Sequence, residues 1–106
     1  MNSKILLKKF YLKETVHILY VVISEDNLRL VVYGLTADLV AQIVMVDVQN
    51  EQILGVVTYA NKKPWQIKGL CFRPHSHDTF FSCGVENIKE WRMMSGQLVN
   101  IMNYQN

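Results

Sequence analysis

The feature that most constrains the fold of this chain is a succession of short runs rich in β-branched and aromatic residues, each closed by a polar turn. Val, Ile, Thr, Tyr, Phe and Trp favour strands because their side chains pack well on a pleated surface. The connections have hairpin length, whereas parallel strands need crossovers of a dozen or more residues. The pattern predicts an all-β chain of eight antiparallel strands, at residues 16–23, 28–33, 41–48, 52–59, 65–72, 79–83, 87–93 and 97–102.

Several of these runs are apolar at successive positions, and two of them serve as examples. Residues 31–33 read Val-Val-Tyr and residues 43–46 read Ile-Val-Met-Val. A half-exposed antiparallel sheet alternates apolar and polar residues, so consecutive apolar positions indicate a sheet covered on both faces. A chain of 106 residues has room for one small globular domain, and it can scarcely cover its own sheets twice.

The first four runs match the second four, which makes the chain an internal repeat. Early in the unit the matched positions lie 49 and 50 residues apart, and later they lie 45 apart. Residues 35–39 supply the difference as a longer hairpin loop, and Gly34 is expected to end the second strand. The matched positions are Ile23 with Phe72, Tyr33 with Cys83, Val46 with Trp91 and Gln52 with Gln97. The repeat predicts two units of four antiparallel strands.

The second unit resembles a WD40 repeat. Residues 72–76, Phe-Arg-Pro-His-Ser, are similar to the turn between the first and second strands of that repeat. Residues 81–92 resemble its second and third strands, and the Ser-Cys-Gly and Ile-Lys-x-Trp variants are similar to propellers of the echinoderm microtubule-associated-protein-like and cilia- and flagella-associated groups. The resemblance extends over residues 16–103, and it is weaker in the first unit, where Val46 stands in place of tryptophan.

The resemblance implies an incomplete propeller with a basic segment at 1–15, a degenerate blade at 16–60 and a second blade at 61–106. It implies a non-catalytic scaffold without a cofactor, in the cytoplasm, the cytoskeleton or a cilium. Its partners would be other proteins, such as tubulin or an axonemal complex, and self-association or further blades would cover the open sheet faces. The candidate partner-binding residues lie in predicted loops, apart from Trp65 at the start of the fifth predicted strand, and they are Asp26, Asn27, Lys62, Lys63, Trp65, His75 and His77.

The chain departs from the family pattern at three places. The Gly-His dipeptide is missing from both units, and residues 63–65, Lys-Pro-Trp, occupy its vicinity in the second. Glu86 is the nearest replacement for the acid of the turn before the third strand. Glu90 falls just before Trp91, where an apolar residue is expected. A buried Glu90 would be protonated or paired with Arg92 or Lys89, and in a degenerate blade it would face water.

An alternative from another class is a self-sufficient small β-domain with a metal or hydrolytic site. Cys71, His75, His77 and Cys83 form a C-x3-H-x-H-x5-C pattern of residue types that zinc uses. Cys83 lies several residues down its strand from the turn that holds both histidines, which argues against closure around one ion. A Cys–His nucleophile would have only Asp78 as an orienting acid, so two strand cysteines beside a polar turn remain the simpler interpretation.

Charge and apolar runs bear on the remaining classes of partner. Residues 1–13 contain four lysines and no acid, and the other residues contain seven basic and nine acidic side chains. The net charge of +2 argues against a nucleic-acid partner. A barrel that binds nucleic acid through Lys62, Lys63 and Trp65 is nevertheless kept as a third hypothesis. The apolar run at 18–23 is too short for a signal peptide or a membrane span. Two cysteines without a secretion signal favour reduced thiols inside the cell.

Overall fold

The computed structural model describes residues 15–59, 67–84 and 87–105, and every regular element in these ranges is a β-strand. The strands are β1 (Thr15–Ile23), β2 (Arg29–Thr36), β3 (Ala41–Asp47), β4 (Gln52–Tyr59), β5 (Ile67–Phe72), β6 (Thr79–Gly84), β7 (Asn87–Met94) and β8 (Gln97–Gln105). The described residues contain no helix that is long and apolar enough to cross a membrane. The prediction of an all-β chain is confirmed.

The strands form two four-stranded antiparallel sheets, and each sheet follows the order of the chain. Sheet 1 has the order β1-β2-β3-β4, and sheet 2 has the order β5-β6-β7-β8. Every neighbouring pair is joined by a short hairpin connection, as the sequence predicts. The β7–β8 hairpin shows the local cause, because Ser95 and Gly96 both have positive φ, the conformation that the tightest hairpin turns require.

Gly34 does not end β2, which continues to Thr36. Gly34 lies inside the strand, opposite Ile18 and Gln42. A Cβ atom on Gly34 would collide with the backbone carbonyl oxygen of His17 and approach Thr15 Cγ2 to 2.6 Å. The glycine therefore permits a close approach of β1 at an irregular point of the pairing rather than breaking the strand.

The two sheets stack with equivalent strands side by side. Strand β1 lies against β5, and β4 lies against β8. Gly55 of β4 fits beneath Met93 and Leu98, because a Cβ atom at this position would stand only 3.0–3.3 Å from their side chains. The core between the sheets joins Val31, Tyr33, Ile43 and Met45 of sheet 1 to Phe80, Trp91 and Leu98 of sheet 2.

The central strands of sheet 1 are buried on both of their faces. Every residue of β3 is buried, which matches its unbroken apolar run. A second cluster of buried side chains lies on the face of sheet 1 that points away from sheet 2, and it consists of Leu30, Val32, Val44 and Val46. The expectation of a sheet covered on both sides therefore holds for the central strands of sheet 1.

Among the described residues, sheet 2 differs from sheet 1, because only the face toward sheet 1 has another sheet packed against it. Phe80 and Trp91 face sheet 1, so the residues that alternate with them, Phe81 and Glu90, face away. Residues directly opposite one another share a face, which extends this surface across all four strands. We name it the outer face of sheet 2, and its rows contain Cys71, Phe81, Glu90 and Met102, then Cys83, Ile88 and Tyr104.

Candidate protein-interaction site

The β1–β2 turn, residues 24–28, is organised by a serine and an aspartate two residues apart. The buried Ser24 hydroxyl donates to Asp26 Oδ1 at 2.6 Å, and the Leu28 amide donates to the same oxygen at 3.0 Å. Ser24 Oγ also accepts the Arg29 amide at 3.0 Å, which ties the turn to the start of β2. The bond from Ser24, followed by those from Leu28 and His77, lowers the pKa of Asp26 to about 2. Asp26 is therefore anionic at any physiological pH.

The β5–β6 turn, residues 73–78, repeats this arrangement with a different backbone. The Ser76 amide donates to the Arg73 carbonyl at 3.1 Å, with Pro74 and His75 between them. His75 has a φ of 62°, so these four residues fit a type II turn with proline in its favoured position. The Ser76 hydroxyl donates to Asp78 Oδ1 at 2.7 Å, and this bond is the main reason why the pKa of Asp78 is lowered.

The two turns meet across the sheet stack, and we call them the paired turns. The His75 amide donates to Glu25 Oε2 at 3.1 Å, and His75 Nδ1 lies 3.4 Å from the same oxygen. His77 Nδ1 lies 2.9 Å from Asp26 Oδ2. Each histidine of the second turn thus faces a carboxylate of the first. The contact arises because equivalent strands lie side by side, which brings equivalent turns to one end of the stack.

The paired turns present charge at the surface. The His75 side chain is 91% exposed and the Glu25 side chain is 65% exposed. Both serine hydroxyls donate to aspartates of their own turns, and both imidazoles face carboxylates. This arrangement positions hydrogen-bond donors and acceptors for a polar surface rather than a nucleophile beside a base. The carboxylates of this surface can accept hydrogen bonds from donor groups that approach it.

The structure brings together three of the predicted partner-binding residues, Asp26, His75 and His77. Asn27 lies in the same turn with a φ of 62°, and its amide donates to the Ser24 carbonyl at 3.0 Å. Lys62, Lys63 and Trp65 lie outside the described residues, and so do residues 1–14 of the predicted basic segment. Sequence reasoning missed Glu25. The Ser-x-Asp spacing common to residues 24–26 and 76–78 is the signal that relates the two turns.

The residues of the alternative metal or hydrolytic site are not brought to one centre. Both histidines are in the paired turns, whereas both cysteines lie on the outer face of sheet 2 as free thiols. Partial desolvation on the sheet surface, with a smaller contribution from Cys83, raises the pKa of the Cys71 thiol, so it is protonated at neutral pH. Among the described side chains, no group of three or more His, Cys, Asp and Glu residues is arranged to hold a metal ion.

Glu90 is buried at the centre of the outer face of sheet 2, and it does not face water. The Tyr104 hydroxyl donates to Glu90 Oε1 at 2.8 Å, and an Arg73 nitrogen lies 3.8 Å from Oε2. The prediction that Arg92 or Lys89 pairs with a buried Glu90 is therefore wrong. Lys89 alternates to the opposite face of β7, and Arg92 donates through Nε to Thr79 Oγ1 at 3.2 Å. The bond to Glu90 is the main reason why the pKa of Tyr104 is raised.

Comparison with known proteins adds no relative to these observations. No protein-family model, curated protein or solved structure matches the chain. The function is therefore inferred from three structural features: the repeat of the two sheets, the paired turns and the outer face of sheet 2.

Proposed function

We propose that this chain is a pair of WD40-type propeller blades and serves as a non-catalytic scaffold that binds other proteins. The observation that carries the proposal is the repetition of one four-stranded sheet, with β1 beside β5 and β4 beside β8. A propeller is built by radial repetition of such sheets. This repetition gathers equivalent loops at one end of the assembly, where loops held by a rigid scaffold commonly bind partners.

The paired turns supply the proposed binding surface. Asp26 is anionic because its pKa is about 2, and Glu25 adds a second carboxylate beside the two histidines. A partner that presents arginine, lysine or backbone amide groups would complement these acceptors. The resemblance to microtubule-associated and ciliary WD40 proteins directs the proposal to tubulin or an axonemal complex, in the cytoplasm, the cytoskeleton or a cilium.

The outer face of sheet 2 supports the blade interpretation independently of the turns. Ile88, Met102 and Tyr104 are large side chains that remain 40–50% exposed there. Contiguous apolar surface of this kind is typical of interfaces. Within the proposal, further blades or self-association cover it.

Photo-crosslinking from the paired turns tests the proposal. Benzoylphenylalanine replaces Asn27 or His75 in the purified chain, and a control chain carries it at Asp38, an exposed residue of the β2–β3 hairpin at the opposite end of sheet 1. The probes are purified tubulin and an extract of the source cells. We expect defined adducts from Asn27 and His75 and none from Asp38. Equal labelling from all three positions, or no adduct from either turn, would contradict the proposed function.

A further inference from the structure

The outer face of sheet 2 repeats, position by position, the face with which sheet 1 packs on sheet 2. The equivalent pairs across the repeat are Val31 with Phe81, Tyr33 with Cys83, Ile43 with Ile88, Met45 with Glu90 and Val57 with Met102. In sheet 1 these side chains belong to the buried or partly buried core between the sheets. In sheet 2 the equivalent surface has no sheet against it among the described residues.

The exposed fractions identify this surface as open. Ile88 is 40% exposed and Met102 50%, although their counterparts in sheet 1, Ile43 and Val57, belong to the core between the sheets. Tyr104, beside them on the same face, is 44% exposed. Four strands spaced about 4.8 Å apart make a surface roughly 20 Å wide, which is enough for sheet-on-sheet packing. A β-sheet face of this kind is covered best by a second sheet face, because the pleated rows of side chains interdigitate.

We propose that the outer face of sheet 2 docks against the same face of a second copy of this chain, around a two-fold axis. The inference rests on the proposed function, because it takes sheet 2 as a blade that needs a neighbour. Within the described residues both faces of the central strands of sheet 1 are buried. The sheet face that a second copy can offer is therefore its own outer face of sheet 2, and the interface is isologous.

The charges on this face favour pairing with itself. Glu90 stands where sheet 1 has Met45, so the repeat introduces one carboxylate into an otherwise apolar surface. Arg73 lies beside it with 55% of its side chain exposed and only a 3.8 Å contact to Glu90. Because one face carries both signs, two copies can pair in a register that sets Arg73 of each copy against Glu90 of the other. The ion pair becomes closer and drier than it is in the single chain.

Analytical ultracentrifugation over a concentration series tests the interface with the full chain. The variants Met102→Lys and Ile88→Lys each place an ammonium group in the outer face of sheet 2. The matched control is Val56→Lys, because Val56 is 48% exposed and lies on β4 of sheet 1. We expect a reversible dimer for the wild-type chain, a dissociation constant raised roughly tenfold or more in the two outer-face variants, and no change in the control.

Alkylation of a native thiol provides a second readout. Cys71 is an exposed thiol on the same face, so dimer formation should slow its reaction with a maleimide as the chain concentration rises. Met102→Lys should abolish this protection. Association that persists in both outer-face variants, or that Val56→Lys abolishes, would overturn the inference and leave the proposed function intact. A folded wild-type chain that stays monomeric at every concentration also overturns the inference, whereas the proposed function is decided separately by the crosslinks from the paired turns.

Discussion

His77 Nδ1 lies 2.9 Å from Oδ2 of Asp26, a residue 51 positions earlier in the chain. The contact joins the turn of one sheet to the equivalent turn of the other, and the contact between His75 and Glu25 repeats the link beside it. In both sheets, strands that are neighbours in the chain are joined by hairpins. The β1–β2 turn and the β5–β6 turn can therefore each form without the other. These contacts therefore report how the two sheets are placed together, and acid should weaken the surface that they organise.

Replacing Asp26 by Asn should reduce the acid sensitivity of folding. The folded-state pKa of Asp26 is about 2, below its ordinary value of 3.8, so its contribution to stability is present above pH 4 and lost as the pH falls toward 2. Urea unfolding of the wild-type chain at pH 5 and at pH 2.5 should show a larger loss of stability than in Asp26→Asn. Asp38→Asn, at an exposed hairpin position, is the control and should behave like the wild type. An identical pH dependence in Asp26→Asn would contradict the role of this carboxylate.

Trp91→Phe should destabilise the chain by about 1–3 kcal/mol, as expected when a buried hydroxyl loses its donor. The indole nitrogen donates to Ser82 Oγ at 3.0 Å, and Ser82 is almost fully buried. Phenylalanine keeps one aromatic ring beside Phe80, whose ring centroid lies 6.3 Å from that of Trp91 in the wild type, but it also removes part of the buried indole. A double-mutant cycle is therefore needed to separate the hydrogen bond from the lost volume. Urea unfolding of Trp91→Phe, Ser82→Ala and the double variant forms a cycle. We expect the double variant to lose less than the sum of the single losses, and strict additivity would contradict the bond.

Most of the strands could be predicted from the sequence, because the propensity for a strand depends on residues that are neighbours in the chain. The run of strand-forming residues at 52–59, preceded by the polar turn at 49–51, predicts β4 at its observed limits. The prediction that β2 ends at Gly34 is wrong. A glycine is required there because His17 approaches closely, and this approach depends on how β1 and β2 pair. The partners of Glu90 were predicted wrongly for the same reason, since Arg73 and Tyr104 reach it only through the register of sheet 2. To predict the contacts between the paired turns, one must also know how one sheet is placed on the other.

Gly34→Ala should destabilise the chain by about 1–3 kcal/mol, the usual cost of forcing extra volume into a packed site. The added Cβ would meet the backbone carbonyl of His17, which cannot rotate away as a flexible side chain can. Gly69→Ala is the matched control in sheet 2, because nothing lies within 4 Å of a Cβ built there. The control should be neutral or stabilising by a few tenths of a kcal/mol, through reduced freedom of the unfolded chain. Thermal unfolding compares the two, and equal midpoints would refute the close approach of β1 to Gly34.

Glu90→Met should leave the free energy of unfolding unchanged or raise it by up to about 3 kcal/mol, because well-packed apolar residues often replace buried ion pairs without loss. Methionine already occupies the equivalent position in sheet 1, where Met45 is fully buried. The substitution should also lower the raised pKa of Tyr104, whose main cause is the bond to Glu90. Arg73→Ala, which instead leaves the buried carboxylate without its cation, should be destabilising. Urea unfolding gives both stabilities, and absorbance titration of the tyrosines follows the pKa. A Glu90→Met chain less stable than Arg73→Ala would show that the carboxylate stabilises sheet 2 by itself.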